Sequence, residues 1–197
     1  MLKEIVDVAQ VIIAAAAVLA LGVAIWQGTI ARQAIAEQHR TAREQLRMMH
    51  EDLKMRLLLD YEQRFETSEM MARRRALAGH LLGSGAYKAD AVMQDSTFAV
   101  IGDEVPNFFE SLATMHDRKH IDTAMAFEFF YHWGLHYWVA LHGFVRKDRA
   151  TNGDDLWNGF QSLMDNFAAY ALAHHVRVPI NDVKVEDFLR QEQQAGL

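Results

Sequence analysis

The N-terminal part of the chain has the pattern of one long helix that changes character along its length. Residues 8–26 read VAQVIIAAAAVLALGVAIW, in which Gln10 is strongly polar. At about 1.5 Å per residue, this run matches the roughly 30 Å hydrocarbon core of a bilayer. Trp26 stands where an interfacial aromatic residue is expected. The run therefore predicts an N-terminal transmembrane anchor over residues 1–27.

A cleaved signal peptide is the alternative interpretation of this run. The segment Gly22-Val23-Ala24 has the small-x-small form of a cleavage site. A signal peptide, however, has a positively charged leader, and here Glu4 and Asp7 accompany a single lysine, Lys3. The pattern favours an anchor that remains in the mature protein.

The basic residues that flank the apolar run predict its orientation. Lys3 precedes the run, whereas the segment that follows it carries several arginines within the window that sets topology: Arg32, Arg40, Arg43 and Arg47. This bias predicts a single-pass protein of the bacterial inner membrane whose C-terminal domain is cytoplasmic. Membrane lipid is then an expected partner.

Two stripes along this helix predict self-association. Small residues recur at every fourth position: Ala16, Ala20, Ala24 and Gly28. That spacing lets two helix backbones approach closely. Farther on, the steps alternate between four and three residues, as in a coiled-coil seam: Ile35, His39, Ala42, Leu46, Met49 and Leu53. We expect a helical stalk over residues 28–65 and a homo-oligomer. The alternative is that the second stripe packs on the chain's own bundle.

The next segment predicts a compact helical bundle over residues 66–176. Ser68 can cap a helix that ends at the Gly83-Ser84-Gly85 turn. A surface loop follows over residues 86–96. The next helix has apolar residues at Phe98, Ile101, Val105, Phe108, Leu112 and Met115, and Pro106 predicts a kink in it or a start near Asp103.

The helix predicted over residues 123–146, with Asp122 as its cap, is apolar on two faces. The main stripe comprises Ala126, Phe130, Trp133, Tyr137, Ala140 and Phe144, and the second comprises Phe127, Tyr131 and Trp138. A helix of this kind is either central in its bundle or pressed against a partner. A further helix after Asp154 carries Leu156, Phe160, Leu163, Phe167 and Ala171. Residues 177–197 are predicted to be a polar tail with a short helix near residues 187–191.

Composition supports an all-α class and excludes several kinds of function. The chain has two prolines, Pro106 and Pro179, no cysteine and a formal net charge of −6. The absence of cysteine excludes disulfides, thiol nucleophiles and thiolate metal sites. Mixed charges without a basic face argue against nucleic-acid binding. The fold class that we expect is all-α: a transmembrane helix that continues into a long stalk helix, then a helical bundle.

Ten histidines require that metal chemistry be considered. His132 and His136 stand four residues apart, so both imidazoles could reach one ion, with Glu110 as the candidate carboxylate. Glu110 and Glu128 could also do acid–base work together. The Glu-x-x-His pattern of a bundle metal site does not occur. We therefore expect no metal and no cofactor, and a structural role in which a carboxylate pairs with one of Arg73, Arg74 and Arg75. No nucleotide-binding loop or nucleophile elbow occurs in the sequence.

Several motifs of the bundle resemble those of one bacterial family of unknown function. They are Val105-Pro106-Asn107-Phe108-Phe109-Glu110, Ile121-Asp122, Phe129-Phe130 and Tyr137-Trp138, preceded by Phe65-Glu66-Thr67-Ser68-Glu69-Met70 and Arg73-Arg74-Arg75. The resemblance covers about residues 55–170. It implies small bacterial proteins with one N-terminal transmembrane helix, a helical stalk and a compact helical domain, and it implies no reaction.

Together these patterns predict a non-enzymatic, membrane-anchored interaction or scaffold protein that self-associates. One alternative is a metal-dependent or otherwise cryptic enzyme centred on Glu110, His132 and His136. Another is an accessory subunit of a larger membrane complex, which would dock on the second aromatic face, at Phe127, Tyr131 and Trp138.

Overall fold

The computed structural model describes residues 2–88, 103–153, 155–177 and 182–195, and among the side chains before residue 32 it describes only those of residues 19, 21–22 and 26–29. Within these residues the chain is all-helical and has no strand, which confirms the predicted class. The helices in chain order are α1 (Leu2–Phe65), α2 (Ser68–Ser84), α3 (Glu104–Asp117), α4 (Thr123–Asn152), α5 (Asn158–Ala173) and α6 (Asp182–Gln194).

The chain divides into two compact units. The first, Met1–Asp52, contains the N-terminal part of α1, and all its side chains from Arg32 onward are exposed. The second, Leu53–Leu197, contains the end of α1, the other five helices and the hydrophobic core.

Among the residues that the structure describes, no helix is both long enough and apolar enough to cross a membrane. This finding overturns the predicted anchor, and with it the single-pass topology and the inner-membrane location. In the described part of α1, charged side chains recur within every two turns from Arg32 onward, and such side chains are costly in hydrocarbon. Ala16, Ala20 and Ala24 lie outside the described side chains, and Gly28 is exposed.

The helix boundaries of the second unit follow from local chemistry. The N-cap of α2 is Thr67, one residue before the predicted Ser68, and its hydroxyl accepts a hydrogen bond from the Met70 amide at 3.3 Å. At the other end, Gly85 takes the left-handed conformation, φ +66°, that ends many helices. Of the predicted kink or start near Asp103, the structure shows the start: α3 begins at Glu104, so Pro106 lies in the first turn, where its missing amide costs no helical hydrogen bond. Phe98, Ile101 and most of the loop predicted over residues 86–96 lie outside the described residues.

Helix α4 lies at the centre of the second unit and packs against α3, α5 and α6. Its N-cap residue is Asp122, as expected, but the carboxylate makes no capping bond and instead pairs with Lys54 at 2.9 Å. Around α4 the core is built from aromatic rings. Phe65, at the end of α1, contacts Phe108, Phe109, Phe130 and Trp133, with ring centroids 4.8–6.0 Å apart.

Helix α6 occupies most of the segment that the sequence predicts to be a polar tail. Its residues Val185, Phe188, Leu189 and Glu192 are buried, and the helix packs against α2 and α4. These four positions follow the i, i+3, i+4, i+7 spacing of one helix face. The segment is polar in composition because its opposite face is exposed.

Candidate functional site

A buried polar cluster joins three helices of the second unit. Arg74 of α2 donates two hydrogen bonds to the carboxylate of Glu192 on α6, from Nε at 2.7 Å and from Nη2 at 2.8 Å. The Tyr137 hydroxyl, on α4, donates to the same carboxylate at 2.6 Å. The three residues are at most 6% exposed. We call Arg74, Tyr137 and Glu192 the α6 clasp.

The rest of the Arg74 guanidinium is also occupied. Its Nη1 donates to the Phe65 carbonyl at 3.1 Å and to Glu66 at 3.2 Å. Its central carbon lies 4.2 Å from the centroid of the Phe65 ring and 5.7 Å from that of Trp133. Stacking on aromatic faces suits the planar, weakly hydrated guanidinium better than it suits an ammonium group. The geometry therefore requires arginine at this position.

The directions of the pKa shifts in the clasp indicate that Arg74 and Glu192 are both ionised. Burial by itself would lower the pKa of Arg74, but the hydrogen bonds and charge of Glu192 outweigh burial and raise it. Burial by itself would raise the pKa of Glu192, but the hydrogen bonds from Arg74 and Tyr137 lower it. Burial, together with the charge of Glu192, raises the pKa of Tyr137, which therefore stays protonated and donates.

The three consecutive arginines point to three different partners. Arg73 pairs with Glu104 on α3 at 2.9 Å, Arg74 enters the clasp, and Arg75 donates to the carbonyl of Ala195. The sequence predicts that one of them faces inward toward a glutamate, and Arg74 does so. Its partner, however, is Glu192 rather than Glu110 or Glu128.

Glu110 caps a helix instead of facing the histidines. Its carboxylate accepts hydrogen bonds from the amides of Gly159 at 3.1 Å and Phe160 at 2.7 Å, in the first turn of α5. A negative charge at a helix N-terminus is favourable, because those amides have no partner within the helix. Asn107, one turn earlier on α3, accepts from the indole of Trp157 at 3.0 Å. The polar members of the Asn-Phe-Phe-Glu motif thus hold the start of α5.

The rings of His132 and His136 contact each other, whereas the Glu110 carboxylate binds the start of α5. Their ring centroids are 4.6 Å apart, and the His136 ring stacks on Phe188 of α6 at 4.7 Å. His136 Nδ1 donates to the His132 carbonyl at 2.6 Å. In the part of the chain that the structure describes, no three His, Asp or Glu side chains converge on a place for a metal ion. The geometry gives no support to an enzyme centred on Glu110, His132 and His136.

The histidine pair predicts a pH dependence of stability. Burial, followed by the charge of the other ring, lowers the pKa of His132 below its ordinary value of 6.5. Burial also lowers that of His136, and Lys184 adds to this effect while the bond to His132 opposes it. The unfolded chain then binds protons at a higher pH than the folded chain does, so stability falls as the pH decreases below about 6.5.

We expect the melting temperature to fall between pH 7.5 and 5.5, and to fall less in His136→Gln. The exposed His142 offers a control, because His142→Gln should keep the slope of the parent chain. Thermal melts of the three proteins across this range measure the effect. Equal slopes in the parent and His136→Gln would contradict the prediction.

The second aromatic face of α4 is covered by α5. Phe127 stacks on Tyr131 at 4.4 Å and meets Phe167 edge-on at 5.6 Å, while Trp138 packs against Phe160 at 5.1 Å. These contacts, with those to α3 and α6, place α4 centrally in the bundle, as one of the two interpretations of its apolar faces expects. Phe127 is 4% exposed, whereas Tyr131 and Trp138 are half-buried.

Comparison with known proteins gives a family but no activity. The model of the family described as a domain of unknown function (DUF4760) matches residues 12–167, which is more than half of the chain. The chain belongs to this family. No curated protein and no solved structure matches the chain. The DUF4760 match ends in α5, so it contains Arg74 and Tyr137 of the clasp, whereas Glu192 lies beyond it.

The predicted seam of α1 is exposed in the first unit. Ile35, Leu46 and Met49 are 53%, 65% and 62% exposed, and His39 and Ala42 are exposed as well. Leu53, the next position of the repeat and the first residue of the second unit, is also exposed. It precedes the buried Leu58 by five residues, which is about 140° around the helix. Leu53 and the buried Leu58 therefore lie on different sides of α1.

The clasp is the part of the site that the sequence analysis missed. The signal was present as Val185, Phe188, Leu189 and Glu192 on one face of a segment with a charged opposite face. The low average hydropathy of the segment concealed this face.

Proposed function

We propose that this DUF4760 protein is a non-enzymatic interaction or scaffold module that self-associates through α1. The observation that carries the proposal is the row of exposed apolar residues at Ile35, Leu46 and Met49, which share a helix face with His39 and Ala42. Helices in proteins gain most of their stability from packing an apolar face. A second copy of the same helix supplies a matching face.

The positions of the charged residues on α1 favour a dimer of α1 helices whose interface contains the apolar residues of the seam. Glu44 lies about 160° around the helix from Leu46, and it accepts a hydrogen bond from Arg40 at 3.2 Å within the same helix. These two side chains are 62% and 81% exposed and can remain in water when the seam is covered. Association along the seam therefore desolvates few charges.

The residues that flank the seam favour a parallel pair. In a parallel coiled coil with both copies in register, Gln38 faces Arg43 of the second copy, and Gln45 faces its His50. No like charges meet at these two contacts. An antiparallel pair that matches Ala42 with Leu46 brings the two copies of Arg43 together, and like charges in contact are unfavourable. The expected partner is thus a second copy in the same direction.

Crosslinking of single cysteines tests the proposal directly. The chain has no cysteine, so Leu46→Cys and Glu44→Cys each introduce one thiol into the full chain. In a parallel coiled coil, the two copies of residue 46 face each other across the seam, while the two copies of residue 44 point away. We expect efficient oxidation to a dimer for Leu46→Cys and little for Glu44→Cys, measured on non-reducing gels.

Disruption of the seam gives an independent measurement. Leu46→Lys with Met49→Lys places like charges in the interface, so sedimentation should show a monomer where the parent chain shows a larger species. Glu44→Lys, on the opposite face, is the matched control and should sediment like the parent. A parent chain that is monomeric at every concentration, or equal crosslinking at residues 44 and 46, would refute self-association through α1.

A further inference from the structure

The seam of α1 includes a residue that can gain a charge. His39 stands between Ile35 and Ala42 in the repeat, and the positions that follow are Leu46 and Met49. All five are exposed in a single chain. A neutral imidazole can be accommodated in a largely apolar interface, whereas a charged one without a partner is costly to remove from water. The fit of the seam therefore depends on the ionisation of His39.

In the parallel pair, the His39 rings of the two copies face each other. The repeat assigns His39 to one of the two core positions of a coiled coil, and residues at that position meet their own counterparts when two parallel helices are in register. The hole that receives each ring is formed by Ile35, Gln38, His39 and Ala42 of the second copy. The only titratable group in this hole is the other imidazole, so protonation would bring two positive charges together.

The charged residues near His39 increase the cost of its protonation in the pair. Arg43 follows it by four residues and lies on the same side of the helix, so it repels a charged ring. Glu37, the carboxylate within one turn of His39, lies about 160° around the helix. The guanidinium of Arg40 donates to Glu44, which is also on the outer side. No carboxylate within one turn of either ring therefore faces it.

We propose that His39 makes the self-association of α1 depend on pH, so that the chains pair while the rings are neutral and separate as the pH falls. This inference rests on the proposed self-association through α1. Imidazole side chains change charge between about pH 8 and pH 5. Separate chains leave His39 in water, where it binds a proton more readily than in the pair. By linkage, protons then favour the separate chains.

Sedimentation of the full chain at several concentrations measures the effect between pH 7.5 and pH 5.5. The dissociation constant of the pair should increase by about tenfold for each ring that must lose its proton, and thus by about a hundredfold for the two rings. Circular dichroism at each pH verifies that the bundle stays folded. The His132–His136 pair titrates in every chain compared, so its effect on the bundle is common to all of them.

Two substitutions assign the effect to His39. Asparagine at this core position is compatible with a parallel pair and stays neutral over the whole range, so His39→Asn should associate equally well at pH 7.5 and pH 5.5. His50 is the matched control, because it is an exposed histidine of the same helix that lies beside the seam and faces Gln45 of the second copy. His50→Gln should keep the pH dependence of the parent chain.

The results distinguish this inference from the self-association on which it rests. If the parent chain and His39→Asn are both monomeric at pH 7.5, self-association through α1 is refuted, and the role of His39 with it. If both form dimers whose dissociation constants change equally with pH, the role of His39 is refuted while self-association stands. A pH dependence that disappears in His50→Gln and remains in His39→Asn would also overturn the assignment to His39.

Discussion

Phe130→Ala is expected to lower the free energy of unfolding by about 3–5 kcal/mol, the range found for the truncation of large buried aromatic side chains. Phe130 is 1% exposed, and its ring lies 6.0 Å from that of Phe65 and 5.6 Å from that of Phe108. Helices α1 and α3 therefore both lose a contact with α4. Because a domain holds only about 5–15 kcal/mol in total, the variant should be largely unfolded in mild denaturant.

The neighbouring residue provides the control for this prediction. Phe129 is only partly buried at the edge of the core, so Phe129→Ala removes the same atoms but leaves a smaller cavity. Chemical denaturation of the parent and of both variants, followed by circular dichroism, gives the comparison. Equal denaturation midpoints for the two variants would contradict the central place of Phe130 in the core.

Glu192→Leu is expected to cost about 3–5 kcal/mol, as breaking one side of a buried ion pair usually does. The substitution leaves the Arg74 guanidinium buried with Glu66 and backbone as its remaining acceptors, and it leaves the Tyr137 hydroxyl without its acceptor. Denaturant midpoints measure the loss. The dependence of the free energy of unfolding on pH should change as well. The pKa of Glu192 is lowered in the folded chain, so the stability that this carboxylate contributes is lost as the pH falls below about 4.5, and Glu192→Leu should not show that loss.

A double-mutant cycle separates the pair from the packing of its side chains. Arg74→Met with Glu192→Leu removes both charges and should recover most of the stability that Glu192→Leu loses, because a well-packed apolar pair replaces a buried ion pair at little cost. The exposed pair on the outer face of α6 is the control. Arg190→Met breaks that pair while Glu186 keeps its hydrogen bond from the Tyr87 hydroxyl, so this variant should leave the midpoint nearly unchanged. A double variant that is no more stable than Glu192→Leu would contradict the role assigned to Arg74.

The result for Glu192→Leu bears on how α6 is held in the second unit. If Glu192 contributes most of the energy that holds α6, loss of this one carboxylate should release the helix before the rest of the core unfolds. Proteolysis between α5 and α6 would then increase in Glu192→Leu and not in Phe129→Ala. Ile35, Leu46 and Met49 lie in the other unit, so self-association through them should be unaffected by either substitution.

The sequence by itself determined the features that depend on neighbours along the chain. The all-helical class, the start of α3 near Asp103 and the end of α2 at Gly85 follow from periodicity, proline and glycine. The stripe of Phe160, Leu163 and Phe167 on α5 is buried as its spacing predicts. The apolar run of residues 8–26 was interpreted by the same local rule, and the predicted membrane span was wrong.

Only the tertiary structure decided which faces meet. Arg74 and Glu192 are 118 positions apart, and no local pattern distinguishes Arg74 from Arg73 and Arg75 beside it. Glu110 was a candidate ligand by residue type, yet the first turn of α5 takes both its oxygens. On the second aromatic face of α4, Phe127 and Trp138 pack against Phe167 and Phe160 of α5. Periodicity fixes the direction of a side chain relative to its own helix, whereas its partner depends on how distant helices pack, and that information is not local.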